Sequence, residues 1–157
     1  MTIKIKEILV VLCLVVFIVL INRRTTYADV SVDAIMEAIR EDADLDGMEE
    51  FSPSEIKEQF GININEYKGV AYYGHVSIME SETLLVVCLQ DKDQGEGIID
   101  TITAQRDELM DLFQSYAPDQ YELLRNSVLV QKENYLLYVV SDEAKSIESA
   151  FNECITE

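Results

Sequence analysis

The chain has one histidine, His75, set in an alternating stretch between Tyr73 and Ser77. An imidazole serves as a general base only when a nucleophile and an orienting group converge on it. No G-x-S-x-G elbow, H-E-x-x-H helix or C-x-x-C pair accompanies it, so its expected use is structural or at a surface. Asp42-Ala43-Asp44-Leu45-Asp46-Gly47 matches the first half of a calcium loop, with carboxylates at alternating positions before a turn glycine. The second half does not follow. Position eight of such loops is apolar and here is Glu49; position twelve is a bidentate glutamate and here is Pro53, with Glu55 two residues too late. Asp42, Asp44 and Asp46 are calcium candidates without a closing ligand, and the plainer reading is an acidic connection between two helices. Gln94-Gly95-Glu96-Gly97 precedes a helix, but it lacks the Walker lysine, and Asp91, Asp93 and Glu96 would repel phosphate. The tyrosines 72, 73, 116, 121, 135 and 138 suit core and sheet-face positions, with Tyr72, Tyr73 and His75 as candidates for a binding surface on an open sheet face. No catalytic residue and no cofactor is expected.

The composition points away from polyanionic partners. The 157 residues include 12 basic and 30 acidic side chains. Setting aside Lys4, Lys6, Glu7, Arg23 and Arg24 leaves 8 basic and 29 acidic residues, a net of −21. Such a field repels nucleic acid and anionic lipid headgroups and attracts cations and basic peptides. Cys88 lies in an apolar run and Cys154 on the apolar stripe of a helix, so both read as small core residues.

Ahead of the acidic part lies an unbroken apolar run from Ile8 to Ile21, followed by Asn22, Arg23 and Arg24. At about 1.5 Å per residue that run covers about 21 Å; counted from Ile3, with Lys4 and Lys6 reaching to the headgroups, it covers about 28 Å of a core roughly 30 Å thick. The expectation is an uncleaved single-pass anchor over residues 1–24 that holds the lipid bilayer through residues 8–21. A cleaved signal peptide is the rival, with Thr26-Tyr27-Ala28 as a poor cleavage box; the two intervening arginines resemble a stop after a membrane helix. Basic residues flank both ends, so charge leaves the orientation open. Residues 25–30 read as a linker and 31–157 as one domain.

Within that domain Ser31 caps a helix striped by Val32, Ile35, Met36 and Ile39. Ser52-Pro53-Ser54-Glu55 is a capping box with proline at the first helical position, Phe51 can staple against Ile56, and Gly61 ends the helix. Val70 to Ile78 alternates as a strand, and Thr83 to Leu89, apolar on both faces, reads as an interior one. A helix from about Glu96 to Tyr116 follows, with a stripe of Ile99, Ile102, Leu109, Phe113 and Tyr116. Ser127 to Gln131 and Tyr135 to Val140 pair as a hairpin across Lys132-Glu133-Asn134. A last helix begins near Ser141 or Asp142 and buries Ala144, Ile147, Phe151 and Cys154. The order α-α-β-β-α-β-β-α predicts an α+β domain with a four-stranded, mostly antiparallel sheet and its helices packed on one face.

Met48-Glu49-Glu50-Phe51, the helix ending Gln59-Phe60-Gly61-Ile62, Tyr116-Ala117-Pro118 and the hairpin strand ending Tyr138-Val139-Val140-Ser141-Asp142 carry a resemblance that covers roughly Ser31 to Phe151. In these the chain resembles a family of small exported or membrane-anchored domains of unknown function from Gram-positive anaerobes. Many members look like lipoproteins; here Leu12 precedes Cys13 where a small residue is needed, so the tether would be the helix itself. The resemblance supplies no catalytic residues and implies a domain outside the cytoplasm. The resulting expectation is a membrane-anchored, extracytoplasmic, non-enzymatic domain that binds a protein or ligand of the cell envelope. The alternatives are an envelope enzyme using carboxylates or His75, and a calcium-responsive module at Asp42–Asp46.

Overall fold

Strands that are apolar on both faces must be covered on both sides, and this requirement organises the molecule. The computed structural model describes residues 10–14 and 27–156. In chain order its elements are α1 (Val32–Asp42), β1 (Glu49–Glu50), α2 (Pro53–Phe60), β2 (Gly69–Gly74), β3 (Thr83–Cys88), α3 (Gly95–Phe113), α4 (Pro118–Arg125), β4 (Val128–Lys132), β5 (Tyr135–Val140) and α5 (Ala144–Ile155). The strands form one sheet in the order β1-β2-β3-β5-β4 with every pair antiparallel. β3 lies at the centre, where Leu84 to Val87 are fully buried between β2 and β5.

The sheet is the middle of three layers. Leu84, Val86, Cys88, Leu137 and Val139 point to one face, against Val32, Ile35, Met36 and Ile39 of α1 and Ile147, Phe151 and Ile155 of α5. Leu85, Val87, Leu89, Leu136, Tyr138 and Val140 point to the other, against Ile56 and Phe60 of α2, Ile98, Ile102 and Phe113 of α3, and Leu124 of α4. The α+β class and the antiparallel sheet stand. The four-strand count and the single covered face do not: there are five strands and helices on both faces. The extra strand escapes notice because it is two residues long and consists of glutamates. The second helix layer was already implied by β3 and β5, whose unbroken apolar runs leave no polar face for water.

Local signals fare well where caps define them. Ser31 Oγ accepts the Ala34 N–H. The Glu55 carboxylate turns back onto Ser52, accepting its N–H at 2.7 Å and its hydroxyl at 2.6 Å. Gly61 closes α2 in the left-handed region at φ +67°. The predicted helix to Tyr116 ends instead at Phe113, and a separate α4 begins at Pro118. A proline pushes its predecessor out of the helical region, and Ala117 sits at φ −136°; the same proline then starts the next helix at its first position. The predicted strand to Ile78 stops at Gly74, because β3 begins at Thr83, the partner of Gly74, and offers nothing for residues 75–78 to pair with.

The entering segment is fastened down. Tyr27 bridges Thr156 and the Ala28 N–H donates to the Ile155 carbonyl. The Tyr135 hydroxyl donates to the Ala28 carbonyl at 2.8 Å and accepts the Val30 N–H at 2.9 Å. Residues 27–30, read above as linker, therefore belong to the packed domain. Among the described residues no helix is long and apolar enough to cross a membrane. Of the apolar run, residues 8–9 and 15–21 lie outside the described residues, as does most of the predicted anchor.

Candidate functional site

The loop between β2 and β3 and the start of β1 meet at one end of the sheet. His75 follows Gly74 at the end of β2, and Glu80 and Glu82 return on the other limb of the loop. The Glu80 carboxylate lies 2.5 Å from His75 Nδ1 and the Glu82 carboxylate 2.9 Å from Nε2. A neutral imidazole carries a single N–H, so both contacts are hydrogen bonds when the ring holds both protons. The loop is ordered by short-range bonds: the Met79 N–H donates to Ser77 Oγ and the Glu80 N–H to the Ser77 carbonyl. Ser81, itself buried, donates from its N–H and its hydroxyl to Gln120 Oε1 on α4, each at 2.8 Å.

The edge of the ring between its two nitrogens faces the acidic connection after α1. Gly47, at φ +88°, leaves so little room that a Cβ there would come 2.8 Å from His75 Cε1. The aspartates of that connection serve the turn. The Asp46 N–H donates to Asp44 Oδ1, and the Asp44 N–H donates to Glu143 Oε2 ahead of α5. Among the described residues Asp42, Asp44 and Asp46 do not bring three ligand atoms together; the group that does so is His75, Glu80 and Glu82, whose ligand atoms all lie within 4.8 Å of one another.

Beside this cluster runs an open groove of about 510 Å³. Glu49, Glu50, Glu55 and Glu80 line it with Phe51, Gln59, Tyr72, Val76 and Ile78, and no lysine or arginine is among its lining residues. Its aliphatic rim is in solvent: Val76 is 70% and Ile78 90% exposed. These two side chains give the groove a small exposed apolar edge beside its glutamates. The Ser52 hydroxyl, then the Ser52 N–H, hold the Glu55 carboxyl below its ordinary value, so this wall of the groove stays anionic.

The three binding-surface candidates do not share a surface. Tyr72 is buried, its ring against Phe51 (4.8 Å) and edge-on to Phe60 (5.0 Å), and burial raises its hydroxyl pKa. Tyr73 points to the opposite layer, where Arg40 donates to its hydroxyl at 2.6 Å. Helices cover both sheet faces, so no open aromatic face exists among the described residues. Of the three, His75 is at the centre of the cluster and Tyr72 contributes to the groove wall. Glu49, Glu50, Glu80 and Glu82 were not among the candidates. The available signal was the turn Glu80-Ser81-Glu82: once a hairpin closes over it, its two carboxylates return opposite His75. Cys88 and Cys154 are not disulfide-bonded, and burial pushes the Cys88 thiol up to about 11.

Residues 41–141, from the end of α1 through β5, match the family described as Domain of unknown function (DUF4358). The chain belongs to that family. No curated protein and no solved structure matches it. The matched span of this DUF4358 domain contains the groove, the Asp42–Gly47 connection and the His75 cluster, so the family assignment and the candidate site concern the same part of the chain. The expected resemblance to a family of unknown function agrees with this match.

Proposed function

We propose that this DUF4358 protein is a non-enzymatic binding domain, tethered outside the cytoplasm by its N-terminal apolar segment, and that its ligand is a basic, aliphatic-bearing peptide segment of another envelope protein. The observation that carries the reading is the groove itself: four glutamates without a lysine or arginine, next to exposed Val76 and Ile78. Lysine or arginine side chains would meet the carboxylates while an aliphatic side chain covers the apolar rim, a division of roles usual at interfaces. The position is suitable too. The entering residues 28–30 are held by Tyr135, which pairs with Cys88 at one end of β3, whereas the groove lies beyond Thr83 at the other end, about 17 Å away. A domain anchored ahead of Tyr27 would thus present the groove away from its tether. An enzymatic use of His75 is less well supported, since both ring nitrogens face carboxylates and neither is open to a nucleophile.

The test uses the full chain in detergent micelles with EDTA present. A fluorescent Lys/Leu peptide should bind saturably and more weakly as salt rises, while a Glu/Leu peptide of equal length should not. Glu49→Lys with Glu50→Lys should abolish that binding. Equal binding of the two peptides, or binding untouched by the charge reversal, refutes the reading. Placement is tested separately: protease added to intact, wall-stripped cells should digest the domain, and full protection would reverse the topology.

A further inference from the structure

His75, Glu80 and Glu82 present a donor set whose chemistry differs from that of the surrounding acidic surface. Scattered surface carboxylates attract cations diffusely, but one imidazole nitrogen with two carboxylate oxygens suits a first-row divalent cation such as Zn²⁺. The three ligand atoms lie within 4.8 Å of one another; on a tetrahedral zinc with bonds near 2.0–2.1 Å they would be about 3.3 Å apart. Glu80 lies against Nδ1 and Glu82 against Nε2, so for both to ligate one ion on a single ring nitrogen, one carboxylate has to turn away from its present nitrogen and join the other. Glu80 is 43% exposed and Glu82 29%, so both can move, while the ring is 17% exposed and has Gly47 close against Cε1, between its two nitrogens. In the metal-free arrangement two carboxylates flank one imidazole. A divalent cation there would add positive charge to a groove edge lined by glutamates and by no lysine or arginine.

We infer that His75, Glu80 and Glu82 form a binding site for a divalent transition-metal ion of the Zn²⁺ class, with solvent completing the coordination. Bound there, the ion ties both limbs of the loop that carries Val76 and Ile78, so the groove rim is clamped when the metal is present. Calcium is a poor occupant, because it takes six to eight oxygen ligands and gains little from an imidazole. The inference rests on donor atoms and stands whether or not a peptide occupies the groove; the peptide experiment, run in EDTA, fails or succeeds independently.

Isothermal titration of the full chain in detergent micelles with ZnCl₂ tests it, with Co²⁺ as a spectroscopic probe. The expected result is saturable one-to-one binding, a rise in melting temperature with Zn²⁺, and Co²⁺ absorption bands of a nitrogen- and oxygen-ligated ion. His75→Ala should remove all three. Glu80→Gln and Glu82→Gln, which leave packing in place, should each weaken binding by more than the roughly 10- to 100-fold typical of losing a group that only supports a ligand. Glu108→Gln, on the outer side of α3, should change nothing. An excess of Ca²⁺ should leave the Zn²⁺ isotherm intact. Binding that survives His75→Ala, responds equally to Glu108→Gln, or yields to Ca²⁺ would mean diffuse attraction to surface carboxylates and overturns the site.

Discussion

A series of three glycine-to-alanine substitutions separates backbone cost from steric cost at the candidate site. Gly97 lies within α3 with nothing within 4 Å of an added Cβ; Gly97→Ala should stabilise by about 0.4–1 kcal/mol, since alanine loses less chain entropy on entering a helix. Gly61 has φ +67° and nothing within 4 Å of an added Cβ, so Gly61→Ala meets only the left-handed backbone cost, about 1 kcal/mol. Gly47 has φ +88° and an added Cβ would lie 2.8 Å from His75 Cε1. Gly47→Ala therefore incurs the backbone cost and an overpacking cost of about 1–3 kcal/mol, roughly 2–4 kcal/mol together. For a domain of this size each kcal/mol corresponds to about 4 °C. Differential scanning calorimetry should show a rise of about 2–4 °C for Gly97→Ala, a fall of about 4 °C for Gly61→Ala and about 8–16 °C for Gly47→Ala. The ¹⁵N ring signals of His75 should move only in the last of these. A Gly47→Ala variant that melts no lower than Gly61→Ala, with unmoved His75 signals, would refute the packing of the acidic connection against the imidazole.

Three further substitutions probe other layers. Val87→Asp places a carboxylate at a fully buried position of the central strand and should prevent folding; an unchanged melting temperature would remove β3 from the centre. Tyr135→Phe removes the hydroxyl that binds Ala28 and Val30 and should destabilise by about 1–3 kcal/mol, with faster hydrogen exchange at the Val30 amide as the local readout. The folded-state pKa of Glu55 is depressed below 4.5 by the Ser52 hydroxyl and N–H, so its stabilising effect is present above the ordinary value and lost as pH falls through the folded one. Melting temperatures of Ser52→Ala should accordingly fall short of the unsubstituted protein at pH 7 and converge with it in strong acid; a gap independent of pH would contradict this.

What could be read in the sequence follows the range of the interactions involved. Ser31, the Ser52–Glu55 box and Gly61 act within four residues, and their helices begin and end where these residues say. The stripe Val32, Ile35, Met36 and Ile39 is buried as its spacing requires. Residues 75–78 failed for the complementary reason: their alternation is a local pattern, while strand length depends on a partner, and β3 starts too late to provide one. The site is the least legible part. Glu49, Gly47, His75 and Glu80 come together only because β1 pairs with the last two residues of β2, and a two-residue strand of glutamates carries no hydrophobic signature. His75 was visible as the one histidine; its partners became visible only through topology.

The bridge between Tyr27 and Thr156 bears on how the domain can be rewired. Because Tyr27 and Thr156 lie side by side, a short Gly/Ser linker could join them, and new termini could be opened at the Glu133–Asn134 turn, which lies between paired Lys132 and Tyr135. Such a circular permutant would keep every strand pairing but relocate the attachment point to the β4–β5 hairpin. The same adjacency lets the domain be inserted as a cassette into a surface loop of an unrelated host without stretching either junction. A reporter fused after Thr156 would sit next to the incoming segment and at the opposite pole from Ile78, leaving the groove unobstructed.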